Sequence, residues 1–186
     1  MGSYEYAKQE TRKKIIRAFW EIYRNKNIEK ITVKNITDAC GIYRTTFYLH
    51  FTDVYAILEE LEEEFFGHLT AISRQMDKTQ YMNAFRMLYI NDGEYLRILL
   101  DEQRNPEFAK KYKQEFISRI CWFYDIDLKK LAPKDAMVVQ KTFSLMLDMI
   151  FCWEEAELFS MEELLEILDG YLERGIVKTI NEKMEK

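Results

Sequence analysis

Apolar residues recur every three to four positions along most of this chain, the spacing of one face of an α-helix. Ile15, Ala18, Phe19, Ile22 and Tyr23 form the first such stripe, and Asn25-Lys26-Asn27 interrupts it, so a helix is expected over 6–25. Thr32 stands where a hydroxyl can accept a free amide of the next turn, ahead of a short helix over 33–40 that turns Val33, Ile36 and Ala39 inward. Gly41 ends it, because glycine enters the left-handed region without a Cβ clash. A third helix is expected over 44–50, with Ile42, Phe47 and Phe51 facing inward, and Asp53 can cap a fourth over 54–76. The inner stripe of that fourth helix reads Ile57, Leu61, Phe65, Leu69, Ile72 and Met76, with His68 counted beside Phe65 and Ile72, while Glu59, Glu60, Glu62, Glu63 and Glu64 make its solvated side.

Further helices are expected over 80–91, 93–104 and 106–123, the last opened by Asn105-Pro106, a cap followed by a first-turn proline. A loop over 125–134 leads to two final helices over 135–157 and 160–183, the second announced by the capping-box spacing of Ser160 and Glu163. Only six glycines and two prolines occur in 186 residues, too little turn chemistry for a many-stranded β fold. The expected fold is all-α with about nine helices, in two domains covering 1–53 and 54–186.

The helix over 135–157 carries Met137, Val138, Val139, Phe143, Leu145, Met146, Leu147, Met149, Ile150, Phe151 and Trp153. It is apolar nearly all round, so it must be buried on two sides. The final helix shows Leu164, Leu165, Leu168, Tyr171, Leu172 and Ile176 on one broad face. Pairing both with their copies would make a four-helix homodimer interface.

The stretch over 32–58 carries the most informative chemistry. Helix, glycine turn, helix is the layout of a helix-turn-helix, whose second helix needs a slim polar outer face to enter a major groove. Tyr43, Arg44, Thr45, Thr46, Tyr48 and His50 supply that face, and Phe47 and Phe51 pin it from beneath. An arginine can bond a guanine edge twice, threonine methyls can pack on thymine, and tyrosine and threonine hydroxyls can bind phosphate.

Charge changes the picture. The net charge of −5 disfavours DNA at first sight, but residues 1–54 hold ten Lys/Arg against six Asp/Glu, or +4, and the rest of the chain is −9. A basic head on an acidic body fits a protein whose head alone meets phosphate.

Gly41-Ile42, then Thr46-Phe47-Tyr48, then His50-Phe51 resembles the DNA-binding signature of the TetR/AcrR family, G-[VI]-S-x-x-T-[FL]-Y-x-H-F. The resemblance runs from the start of the chain to near Glu60 and is architectural beyond it. It implies an N-terminal helix-turn-helix DNA-binding domain and a C-terminal helical domain for effector binding and dimerisation. It also implies a cytoplasmic homodimer that represses transcription from double-stranded operator DNA and is released by a small molecule. Thr32 and Tyr48 would then anchor phosphate, and Arg44, Thr45 and His50 would lie near base edges. Two positions depart from the pattern: Tyr43 replaces the usual Ser cap, and Val54 replaces a phosphate-binding Lys, for which Lys34 or the basic start of the first helix can compensate. The middle of the chain is rich in Tyr, Phe and Met, which suits plain core first and an apolar ligand pocket second. The resemblance implies an effector site there, for which Phe65, His68, Tyr89, Tyr112, Phe116 and Met146 are the candidates.

The remaining signals exclude alternatives. No Gly-rich phosphate loop, nucleophile elbow or metal motif occurs, so no enzyme, cofactor or metal site is expected. Cys40, Cys121 and Cys152 are odd in number, widely spaced and set among apolar neighbours, as small buried hydrophobes would be. No apolar run is long enough to cross a membrane, and the opening residues lack a signal-peptide pattern. The competing function is a helical protein–protein adaptor without DNA binding, against which the basic head speaks.

Overall fold

A computed structural model describes residues 3–72, 76–156 and 160–184. Among them the chain forms eight α-helices and no strand, close to the expected nine. They are α1 (Ser3–Tyr23), α2 (Val33–Cys40), α3 (Arg44–Tyr48), α4 (Val54–Ala71), α5 (Lys78–Leu99), α6 (Pro106–Phe123), α7 (Pro133–Ala156) and α8 (Met161–Tyr171). The last runs on through a π-helical stretch, Leu172–Val177, into Lys178–Met184. The chain divides into two compact units, Met1–Phe66 and Gly67–Lys186. The division falls inside α4, well beyond the domain boundary at 53 that composition and motif suggest.

In the first unit Ile15, Phe19 and Tyr23 of α1 are fully buried with Ile36, Phe47 and Ile57. Phe19 stacks on Tyr23 with ring centres 5.1 Å apart, and Trp20 meets Phe65 edge-on at 6.1 Å. The guanidinium of Arg12 lies 4.7 Å from the centre of the Phe51 ring and pairs with Glu60, joining α1 to α4. Local signals act as expected here. Thr32 and Asn35 form a capping box, and Asp53 Oδ1 accepts the Ala56 amide at 2.9 Å. Gly41 takes φ +68° and donates its N–H to the Thr37 carbonyl. One position differs: Ala39 is exposed and Thr37 is buried in its place. The Thr37 hydroxyl donates to the Lys34 carbonyl at 3.2 Å within its own helix. Such a back-bond satisfies the hydroxyl and lets it tolerate burial.

In the second unit Tyr81, Phe85 and Tyr89 of α5 are buried along with Phe108, Tyr112 and Phe116 of α6 and with Val139, Phe143, Met146 and Leu147 of α7. The Ser160–Glu163 capping box forms as expected, and Asp77 and Gln80 make another at the start of α5. Two expected helices, over 80–91 and 93–104, are one helix that ends at Leu99. Asn91-Asp92-Gly93 reads as a break in the sequence, but Gly93 is buried on the same face as Tyr89 and Leu96. A mid-helix glycine costs only about 1 kcal/mol against alanine, less than the burial of that face returns. Helix α4 ends at Ala71, short of the expected 76.

Helix α7 is covered on one side by its own chain. Val139, Phe143, Leu147 and Ile150 face inward, whereas Met137, Val138, Leu145 and Met149 are between 44% and 59% exposed. Ile167 and Tyr171 on α8 are exposed as well. The side chains of Phe151, Cys152 and Trp153 lie outside the described residues.

Candidate nucleic-acid interface

The turn between α2 and α3 aims the third helix. Tyr43 is its N-cap in extended conformation, and its carbonyl accepts the amides of Thr46 and Phe47 at 3.0 and 3.1 Å. With no hydroxyl close to its backbone, Tyr43 makes no side-chain cap, and its ring projects outward, 83% exposed. Phe47 on the opposite side is fully buried, meeting Tyr48 edge-on at 5.6 Å and Phe51 at 6.0 Å. The helix therefore has one rotation only: Arg44, Thr45 and Tyr48 are exposed, and Thr46 and His50 are half-buried. Thr32 and Lys34 lie at the start of α2, both exposed. All eight residues expected to meet DNA thus lie in the first unit, on α2, α3 or the residues flanking them.

The His50 imidazole is held below its ordinary pKa, first by desolvation and then by the cations Lys8 and Arg12. Near neutral pH it is an uncharged hydrogen-bonding group rather than a cation. The Val54 position, where the resemblance would place a lysine, is only 5% exposed, so the side chain there is core and cannot reach a phosphate. Sequence reading missed two outward residues beside it. Tyr55 is half-exposed and Leu49 is 75% exposed. The signal for Leu49 was available, since a residue midway between inward Phe47 and inward Phe51 must point out.

Of the six residues expected to line an effector pocket, one lies in the first unit and five in the second. Phe65 belongs to the first unit, where it packs on Trp20. His68 is off the inner stripe, which runs through Phe65, Leu69 and Ile72; its side chain is 45% exposed and bonds Asp92 at 2.6 Å. Tyr89, Tyr112, Phe116 and Met146 are all buried in the second unit, where Phe85 meets both Tyr89 (5.0 Å) and Phe116 (5.4 Å). Burial raises the pKa of both phenols, Tyr89 and Tyr112, so they remain protonated donors. A cleft of about 580 Å³ opens elsewhere on this unit, lined by Ser118, Cys121, Trp122 and Lys141 among others, and by none of the six. Cys121 is buried and its thiol is pushed up to about 11 by desolvation, while Cys40 is half-buried. Among the described residues no helix is long and apolar enough to cross a membrane, and no group of three His, Cys, Asp or Glu stands together as a metal site.

No protein-family profile and no curated protein matches the chain. Among solved structures the chain is similar to a TetR transcriptional regulator from Streptococcus agalactiae, with a TM-score of 0.61 and 22% identity over 88% of this chain and 94% of that one. The two share a fold, and the all-helical architecture of this chain is that of a TetR regulator.

Proposed function

We propose that this protein is a transcriptional regulator of the TetR family. In this reading it is a homodimeric repressor that holds double-stranded operator DNA through α3 and is released by a small-molecule effector. The observation that carries the reading is the exposed ridge of Tyr43, Arg44, Thr45 and Tyr48, fixed in rotation by the fully buried Phe47. Arg44 and Thr45 read base edges; Tyr48, Thr46, Thr32 and Lys34 hold phosphate; and His50 donates or accepts a hydrogen bond at the rim. Tyr43 adds a contact where a serine would only cap.

The purified protein is expected to bind duplex DNA from its own promoter region, with affinity that falls steeply as salt rises. Arg44→Ala should lose about 1–3 kcal/mol at one base pair and relax preference there. Tyr48→Phe should weaken all sequences about equally. Titration of each variant against operator and scrambled duplexes checks both. Wild-type base preference in Arg44→Ala would remove the base-reading assignment. Absence of duplex binding at low salt would leave the protein–protein adaptor as the better account.

The exposed apolar stripe of α7, with Ile167 and Tyr171 of α8, is the proposed dimer surface. A two-fold dimer sets two recognition helices roughly 34 Å apart, one DNA turn. Leu145 is 59% exposed, so Leu145→Asp should leave the monomer folded while placing a charge in the interface. The variant is expected to sediment as a monomer and to bind operator about 100-fold or more weakly, since two linked contacts become one. A dimeric Leu145→Asp protein would move the interface elsewhere.

Release by a ligand requires that the ligand prefer the arrangement whose recognition helices miss the groove. The buried set of Tyr89, Tyr112, Phe116 and Met146 remains the proposed apolar site, with the two phenols as its polar contacts and His68 and Phe65 as outlying candidates. The protein is then a cytoplasmic regulator without an enzyme activity of its own.

A further inference from the structure

The recognition helix carries an apolar residue that neither phosphate binding nor core packing explains. Leu49 is the C-cap of α3, still in right-handed helical conformation, with its N–H bonded back to the Thr46 carbonyl at 3.2 Å. It therefore stays in helical register with Thr45, four residues earlier, and with the neighbouring pair Arg44 and Tyr48. These four make one outward face, while Phe47 and Phe51 turn away from it. Leu49 is 75% exposed on that face, more than any other leucine, isoleucine or valine among the described residues. An aliphatic side chain cannot bond a phosphate. The one apolar group that a major groove presents is the 5-methyl of thymine.

We propose that Leu49 is a specificity-determining residue that packs on a thymine methyl in the operator. The inference rests on the DNA-binding reading of α3. It commits to duplex DNA as the occupant because Leu49 lies in the basic stretch 1–54, with ten Lys/Arg against six Asp/Glu, and shares its face with Arg44, Thr45 and Tyr48. Arg44 would read a purine edge by hydrogen bonds, and Leu49 would add discrimination for thymine over cytosine by burial of one methyl.

The experiment uses the full-length protein. A duplex is first selected by the wild type from a random pool, and each thymine in it is then replaced singly by deoxyuridine, which removes only the methyl. At one position per half-site the wild type is expected to lose about fourfold in affinity, the effect of burying a single methyl. Leu49→Ala should bind the thymine duplex more weakly by a similar factor or somewhat more, and should not distinguish thymine from deoxyuridine there. Its melting temperature should match the wild type, because Leu49 is exposed. If no deoxyuridine substitution weakens the wild type, or if Leu49→Ala keeps the full thymine preference at every position, the assignment to Leu49 is overturned while DNA binding stands. If the pool yields no selected duplex, the DNA-binding reading fails and takes this inference with it.

Discussion

Replacing Phe47 with alanine is expected to unfold the N-terminal unit at urea concentrations that leave the wild type intact, and to remove operator binding. Phe47 is fully buried and touches the rings of Tyr48 and Phe51. Truncating such a phenylalanine typically costs about 3–5 kcal/mol, part from lost transfer and part from the cavity left behind. Helix α3 spans only Arg44–Tyr48. So short a helix has too few hydrogen bonds to hold itself, and its orientation depends on the rings buried beneath it, of which Phe47 is the one it carries itself. Urea denaturation followed by far-UV circular dichroism reads the stability change, and duplex titration reads the function. Tyr43→Ala is the matched control, since the Tyr43 ring is 83% exposed. Its removal should shift stability by less than about 0.5 kcal/mol, as is usual for a surface substitution. Wild-type stability in Phe47→Ala would mean that the ridge is not pinned from beneath.

The second large effect is expected at Arg119→Met. Arg119 is 6% exposed, pairs with Glu115 at 2.7 Å, and donates to the carbonyls of Ile72 and Thr70, the latter at 3.2 Å. Those carbonyls lie at the C-terminal end of α4, where a helix leaves its last acceptors unsatisfied. Methionine keeps the aliphatic stem but strands a carboxylate and two carbonyls. Breaking a buried pair from one side typically costs about 3–5 kcal/mol. Glu115 keeps about a quarter of its side chain in solvent. Solvent screening then lowers the expected loss to about 2–4 kcal/mol. Arg119→Lys should recover only part, because one ammonium cannot reach three acceptors in the plane of a guanidinium. Hydrogen exchange in the peptide that ends α4 should quicken in Arg119→Met and less so in Arg119→Lys. Unchanged exchange there would mean that α4 is held by its apolar stripe alone.

The two contacts are not equally visible in the sequence. Phe47 can be read directly, because helical spacing from Gly41 and the inward Phe51 leaves it one orientation. Arg119 cannot, because the carbonyls it holds lie 47 and 49 residues away, and spacing along a helix carries no information about a neighbour so distant. The same limit explains His68. Periodicity places it within one residue of the inner stripe, and one residue on a helix is roughly 100° of rotation. Leu69 takes the inner position, as its apolar side chain gains more from burial than an imidazole, and His68 turns outward to Asp92. At Gly93 packing overrides a local rule: Tyr89 and Leu96 on the same face bury enough to carry the helix across a residue that weakens it.

The sequence by itself determined most of the helices, their caps, the glycine turn and the ridge of the recognition helix, because each depends on residues within a few positions of one another. Only the tertiary structure decided that α4 belongs to both units, that Val54 is core, that four expected pocket residues are buried in one unit while His68 is not, and that one side of α7 is left uncovered by its own chain. Those outcomes turn on which surfaces remote segments cover, and burial is settled by the whole packed chain rather than by any window of it.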